Sequence, residues 1–226
     1  MSIPQPVRLF HITAIGNLKT ICREGALLAK NVVTVAGLNY QNIAHGGAQG
    51  ARADKTVPVP PGGTVHDFVP FYFAPRSPML SAIHNGKVEG CQVSQQDIVH
   101  FETTVDRVTA GGEPFVFFER NATLAYSRAF TDLTRLDTIA WDLLTEEPKL
   151  DGFCKYFQNR YQVERYVDRM ERRMAEFMVR DRVPLSQFTR VGVCNVQQAR
   201  LVLAILQSEG VTLPVVVMPD WYFLNQ

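Results

Sequence analysis

Strand-like and helix-like stretches follow one another in this chain without the regular strand–helix–strand alternation that winds a parallel sheet. This irregular order limits the fold more than any other feature. Residues 7–13 (VRLFHIT), 66–73 (HDFVPFYF), 97–103 (DIVHFET), 114–118 (PFVFF), 175–179 (AEFMV), 188–194 (FTRVGVC), 213–218 (LPVVVM) and 221–223 read as strands, short and rich in β-branched and aromatic side chains. Pro70 cannot donate to a ladder and argues for an edge or a bulge in its strand. Helix signals are fewer. Asn17 reads as the cap of a helix to Glu24 that Gly25 ends, and Ser77-Pro78 opens one that Gly86 stops. A short turn or helix at 105–109 is closed by Gly111-Gly112, and short helical pieces are expected around 124–127 and 139–144. A polar, Arg-rich helix is expected over 155–173, and Asn195 caps an amphipathic helix through Ser208. The sum is an α+β architecture with a mixed sheet. With 226 residues, no internal repeat and no linker, a single domain over 1–226 is the simplest organisation.

Residues 31–63 are polar, rich in Gly and Pro, and without clear periodicity. So long a stretch is uncommon in a compact domain unless it is functional, so it reads as a ligand-covering loop.

Composition excludes more than it assigns. Hydrophobic residues are 46% and charged residues 20%, ordinary values for a chain that buries a real core. No apolar run approaches the roughly 18–20 residues of a membrane helix. The opening MSIPQPVRLFHIT lacks a basic segment followed by an apolar one, so no signal peptide is expected. Cys22, Cys91, Cys154 and Cys194 lie far apart without zinc-ligand spacing; no metal is expected, and reduced thiols in a cytoplasmic protein are. GxGxxG after a strand, GxxxxGK[ST], HExxH and GxSxG are absent. Net charge is +1, so nucleic-acid binding would need a local patch. Residues 149–182 hold nine Lys or Arg against six Asp or Glu, although a solvated helix face with i,i+4 pairs would look the same.

Three positions carry potential chemistry. His11-Ile12-Thr13 closes the first strand ahead of Asn17, Arg52 sits in the long loop before VPVPPGG, and Glu176 is an acid within the apolar AEFMV. Each has an ordinary alternative: a satisfied histidine near a cap, a solvated arginine, an edge-strand glutamate facing water.

Taken in order, FHIT with Asn17-Leu18, a glycine-rich loop with an arginine ahead of VPVP, HDFVPFYFAPRSPML, Arg120-Asn121-Ala122 and MAEFMV resemble the DarT family of bacterial DNA ADP-ribosyltransferase toxins. The likeness spans roughly the whole chain; residues 149–173 and the C-terminal strands match loosely. It implies an ADP-ribosyltransferase fold like that of the PARP and toxin branches, with a split mixed sheet, flanking helices and NAD⁺ as co-substrate. It further implies that His11, Ile12, Thr13, Asn17, Thr20, Leu28 and Arg52 bind NAD⁺, with Glu176 the catalytic acid and Arg52 a second catalytic residue. Arg76, Arg120, Asn121, Tyr156, Arg160 and Arg173 would meet single-stranded DNA, the segment from about 120 to 176 forming the target-recognition loop. A macrodomain antitoxin of the DarG type is the implied partner.

The residue types suit that chemistry. Cleaving the nicotinamide–ribose bond builds positive charge on the ribose, which a carboxylate stabilises more in the transition state than in the ground state. A guanidinium, with a pKa above about 12, stays protonated at neutral pH, so Arg52 is expected to stabilise the deprotonating base and the pyrophosphate electrostatically rather than to take a proton. Tyr126, Tyr156, Phe157, Tyr161 and Tyr166 interleave with Arg120, Arg128, Lys155, Arg160 and Arg165, as in a stacking groove for single strands. Two other readings stay open: the same site acting on guanine, RNA or protein, and a non-catalytic nucleic-acid-binding domain.

Overall fold

A computed structural model describes residues 2–44, 46–145 and 159–223. In chain order its elements are β1 (Arg8–Ala14), α1 (Leu18–Glu24), β2 (Ala26–Leu28), α2 (Lys30–Val35), α3 (Gly46–Ala53), β3 (Phe68–Tyr72), α4 (Pro78–His84), β4 (Ile98–Thr104), α5 (Val105–Thr109), β5 (Phe115–Phe118), β6 (Ala129–Phe130), α6 (Trp141–Leu144), α7 (Arg169–Arg172), β7 (Glu176–Arg180), β8 (Arg182–Pro184), β9 (Arg190–Val193), α8 (Val196–Ser208) and β10 (Val215–Val217). Eight strands form one sheet in the order β10-β9-β4-β1-β3-β7-β5-β6, and β2 pairs with β8 beside it. All neighbours in the large sheet are antiparallel except β9 and β10, which run parallel across the α8 connection. The fold is thus α+β with a mixed sheet.

The sheet is split in its middle. β1 pairs with β4 along its whole length, Arg8↔Thr104 to Ala14↔Ile98, and β3 pairs with β7 from Phe68↔Arg180 to Tyr72↔Glu176. Between β1 and β3 the register holds only at Phe10↔Tyr72 among the described residues. Of the two alternatives read from the sequence for Pro70, an edge or a bulge, the edge is excluded, since β3 is interior. The missing Pro70 N–H falls where the two halves diverge, so it costs no ladder bond.

Side chains alternate across the sheet with the two-residue period of strands. Leu9, Phe71, Phe101, Phe117 and Phe177 point to one face and form the main core under α1 and α8. Fully burying each such side chain stabilises the fold by about 1.5–3 kcal/mol. The other face carries two separate clusters. Phe10, Ile12, Leu80, Ile83, Trp221 and Phe223 make one, and Val57, Phe68, Val116, Phe118 and Met178 the other. The gap between them, over the split, is where the site lies.

Ser77 caps α4 by accepting from the Leu80 N–H, and Pro78 opens it; Asn195 caps α8 the same way from Gln198, as predicted. Several expectations fail. Asn17 precedes α1 in helical backbone geometry and makes no side-chain cap there. Residues 31–63 are not one loop, since α2 runs into them from Lys30, α3 lies within them, and Thr56 bridges Thr64 just beyond. No continuous helix spans the described part of 155–173: residues 164–166 make a 3-10 turn and α7 holds only Arg169–Arg172. Residues 219–221 form a 3-10 turn rather than a strand, and Trp221 lies on Gly192 so closely that an added Cβ would overlap its ring.

Candidate active site

A cavity of about 280 Å³ opens over the split and shares a wall with a smaller chamber of about 130 Å³. Together they reach the roughly 300–1,000 Å³ of small-molecule sites. The larger has apolar sides from Ile12, Met79, Ala82, Val88 and Met174, and a few polar groups converge in it: His11, Arg52, Tyr72, Asn121, Thr123 and Glu176. The smaller is lined by Thr13, Leu28, Lys30, Tyr40, Gln41 and His66, among others. His11, Ile12 and Arg52 line both.

Glu176 stands at the start of β7, between Tyr72 of β3 and Phe118 of β5 in the register, so it is an interior strand residue and not an edge one. It is 3% exposed. Arg52, in the last turn of α3, reaches across to it with a two-pronged contact: Nη1 donates to Oε1 at 2.9 Å, and Nη2 lies 2.8 Å from Oε2. Burial opposes the Arg52 charge, but the adjoining carboxylate outweighs it and holds the guanidinium above its ordinary value. Burial, then the Glu176 charge, push the Tyr72 phenol well above its usual range, so a neutral hydroxyl flanks the pair.

His11 sits in the split itself. Its Nδ1 donates to the Pro70 carbonyl at 2.8 Å, and burial lowers its pKa to about 4 despite that bond. The ring is therefore neutral near pH 7, and the bond assigns the proton to Nδ1, leaving Nε2 an acceptor. Asn17 works one step behind the wall. Its Nδ2 donates to Thr13 Oγ1 and to the Gln41 carbonyl, both at 3.0 Å, and its Oδ1 accepts from the Gln41 N–H at 2.7 Å. This pins the loop carrying Gln41 to the end of β1. Tyr40, beside Thr13, has its phenol pushed up to about 12 by burial.

The arrangement thus brings His11, Ile12, Arg52, Asn121 and Glu176 together around one cavity, with Thr13 and Leu28 in the adjoining chamber. It does not bring in every expected residue. Thr20 lies on α1 outside both walls. Arg76 donates from Nε to the Tyr222 carbonyl at 3.2 Å and packs over Phe223, away from the cavity. Arg120 is held by Asp168 at 2.7 Å and Glu171 at 3.2 Å, which fastens the turn after β5 to the segment before β7. Arg173 is buried and donates to the Leu143 carbonyl. Arg160 is exposed; Tyr156 lies outside the described residues, with Lys155 and Phe157. Sequence reasoning missed Tyr72, Tyr40, Gln41, Gln49 and Thr123. Only Tyr72 had a signal, standing two residues after the anomalous Pro70 and so on the same strand face. Among the described residues no group of three or more His, Cys, Asp or Glu is placed to hold a metal, and no helix is long and apolar enough to cross a membrane.

Residues 10–223 match a family model described as ssDNA thymidine ADP-ribosyltransferase, DarT. The chain belongs to the DarT family. It is 35% identical to a DNA ADP-ribosyl transferase of Thermus sp. (strain 2.9) over 97% of its own length and 98% of that protein's. It superimposes on two solved DarT structures from Thermus sp. 2.9. One, in complex with ADP-ribosylated ssDNA, has a TM-score of 0.86 at 34% identity and covers 99% of each chain. The other, in complex with NAD⁺, has a TM-score of 0.83 at 32% identity and covers 98% of this chain and 100% of that one. The split mixed sheet is therefore the DarT form of the ADP-ribosyltransferase fold.

Proposed function

We propose that this protein transfers ADP-ribose from NAD⁺ onto a thymine of single-stranded DNA in a sequence-specific manner, in the bacterial cytoplasm, as the toxin of a toxin–antitoxin pair whose partner is a DarG-type macrodomain antitoxin. Residues 1–226 act as one domain in this reading. The observation that carries it is the Arg52–Glu176 pair, one carboxylate and one guanidinium in direct contact inside a cavity that reaches small-molecule size together with its adjoining chamber.

NAD⁺ suits the cavity because apolar walls accept rings while a few fixed polar groups orient them; it supplies the ADP-ribosyl group when nicotinamide leaves. Glu176 presents its carboxylate to the ribose hydroxyls and stabilises positive charge developing on that sugar. Arg52, already charged, stabilises the pyrophosphate and the negative charge developing on the acceptor base, whose ring proton passes to bulk water while nicotinamide leaves neutral. His11, neutral and with Nε2 free to accept, fixes the ribose and nicotinamide end. Asn17 acts indirectly, through Thr13 and Gln41. Asn121 and Thr123 line the cavity on the side of the turn after β5, where an incoming base would be held. Positioning of the two substrates supplies much of the rate.

A gel-shift assay of a mixed pool of single-stranded oligonucleotides with NAD⁺ tests the reading, followed by sequencing of the shifted species. Wild type shifts thymine-containing strands and Glu176→Gln does not. Turnover of NAD⁺ only on RNA, protein or guanine would replace the acceptor, and no turnover on any acceptor would leave a binding domain.

A further inference from the structure

We infer that Arg8 and Arg190 form a second anion site, separate from the cavity and shaped for a phosphate group. Arg190 lies directly across from Glu102 in the β4–β9 register, and Arg8 is diagonal to it, two residues along β1 from Phe10, the partner of Glu102. All three side chains project from one face. Both guanidinium groups contact Glu102 through Nε, one on each carboxylate oxygen. Glu102 is 4% exposed, whereas the Arg8 and Arg190 side chains are 41% and 33% exposed. They border an open concavity of about 510 Å³ whose other lining residues are Pro6, Thr104 and Thr189, so Glu102 is the sole acid among its described lining residues.

One arginine would neutralise one carboxylate. Two leave a surplus positive charge, and a buried ion cluster is no gain in stability by itself. The surplus is held rigidly: both guanidinium carbons lie 5.5 Å from the centroid of the Trp221 ring, and Trp221 is seated on Gly192. Arg8 Nη2 is closed to solvent without an acceptor among the described residues, so the donors left for a ligand are the remaining terminal nitrogens of the two guanidinium groups. Two fixed planar forks with donors to spare suit an oxyanion that offers several oxygens to both.

Two sources present that chemistry: a phosphodiester of a polynucleotide, and free phosphate or a nucleotide phosphate. Ile12, in the cavity wall, is four residues from Arg8 on the same face, about 13 Å along β1, within reach of a strand a few nucleotides long. The site itself does not depend on the catalytic reading above.

Titration calorimetry with inorganic phosphate, and fluorescence anisotropy with labelled single-stranded oligonucleotides over a range of salt, test the inference. Arg190→Gln keeps the Arg8–Glu102 pair and Glu102→Gln removes the only acid; thermal melts confirm that each is folded. Wild type binds phosphate saturably, Arg190→Gln at least tenfold more weakly, and Glu102→Gln several-fold more tightly. This opposite response is one that a purely structural cluster would not give. If Glu102→Gln does not fold, Arg190→Lys takes its place, with weakened binding expected because the charge stays and the fork is lost. A salt slope for oligonucleotide binding reduced by about one in Arg190→Gln assigns the phosphate to the nucleic-acid backbone. Lost phosphate binding with an unchanged slope assigns it to a free phosphate. Absence of saturable phosphate binding by wild type, together with oligonucleotide affinity and slope unaltered in Arg190→Gln, overturns the site and leaves the cluster as the neutraliser of Glu102. Loss of the catalytic reading would show separately, as absent NAD⁺ turnover with these binding results intact.

Discussion

The Arg52–Glu176 pair makes a quantitative prediction in which stability and activity part company. Arg52→Met would leave Glu176, with a side chain 4% exposed, as an unpaired carboxylate. Breaking a fully buried pair from one side costs about 3–5 kcal/mol. Arg52 is itself 15% exposed and the pair faces a cavity that water can enter, so the cost falls to or below the lower end of that range, about 2–3 kcal/mol. At roughly 2–4 °C per kcal/mol for a chain of this size, Tm falls by about 5–10 °C. Glu176→Gln keeps the shape and one acceptor oxygen, and should cost about 1–2 kcal/mol. The double variant Arg52→Met/Glu176→Gln has no buried charge left to desolvate, so its loss should fall short of the sum of the singles by about 1.5–3 kcal/mol. Turnover should not recover with it. Both variants lacking the carboxylate should lose about 10²–10³ in kcat, the size seen when one preorganised electrostatic stabiliser is removed. Denaturant unfolding and nicotinamide release on the same preparations measure the two quantities. Additive stability losses would show that the two side chains are not coupled, and activity within tenfold of wild type in Glu176→Gln would remove that carboxylate from the mechanism.

Four further perturbations follow. Arg52→Lys keeps the charge but loses one prong; substantial residual turnover in the nicotinamide-release assay supports an electrostatic role, and near-total loss would require guanidinium geometry or proton transfer instead. Asn17→Ala releases the loop held through Gln41, so steady-state kinetics should show KM for NAD⁺ rising several-fold with kcat changed little; the reverse split would place Asn17 in the chemical step. Burial lowers His11 and His100 from 6.5 to about 4 in the folded chain, so between these values the unfolded chain binds more protons. Each then contributes stability that is complete above pH 6.5 and is lost as pH falls toward 4, with a slope of up to about 1.4 kcal/mol per pH unit; melts of His100→Phe across that window should give a shallower slope than wild type. Ser77→Ala removes the cap of α4 and should lower stability by about 1 kcal/mol, roughly 2–4 °C in a melt.

Much of the fold was legible in the sequence because local rules decided it. Ser77-Pro78 and Asn195 start α4 and α8 through side-chain caps that need no distant partner, and Gly25 after α1 and Gly86 after α4 take φ near +64°, which glycine adopts without strain. Elsewhere a local signal was right about the residue and wrong about its use. Asn17 looked like a cap, yet its amide is engaged with Thr13 and Gln41, since a loop 24 residues away supplies better partners. Arg173, which the family resemblance placed on DNA, has its guanidinium buried against the Leu143 carbonyl, a contact that nothing local announces.

The order of short strands, the caps and the blocks FHIT, VPFYFAPRSPML and MAEFMV by themselves determined the α+β class, the family and the identity of His11, Arg52 and Glu176 as the residues to watch. Only the tertiary structure decided how those residues meet. Arg52 and Glu176 are separated by 124 positions, and no periodicity links a helix in a glycine-rich stretch to an interior strand. Their contact exists because β7 lies in the middle of the sheet, which makes Glu176 buried rather than solvated. The sheet opens beside it between β1 and β3, where His11 reaches the Pro70 carbonyl, and the cavity lies over that opening.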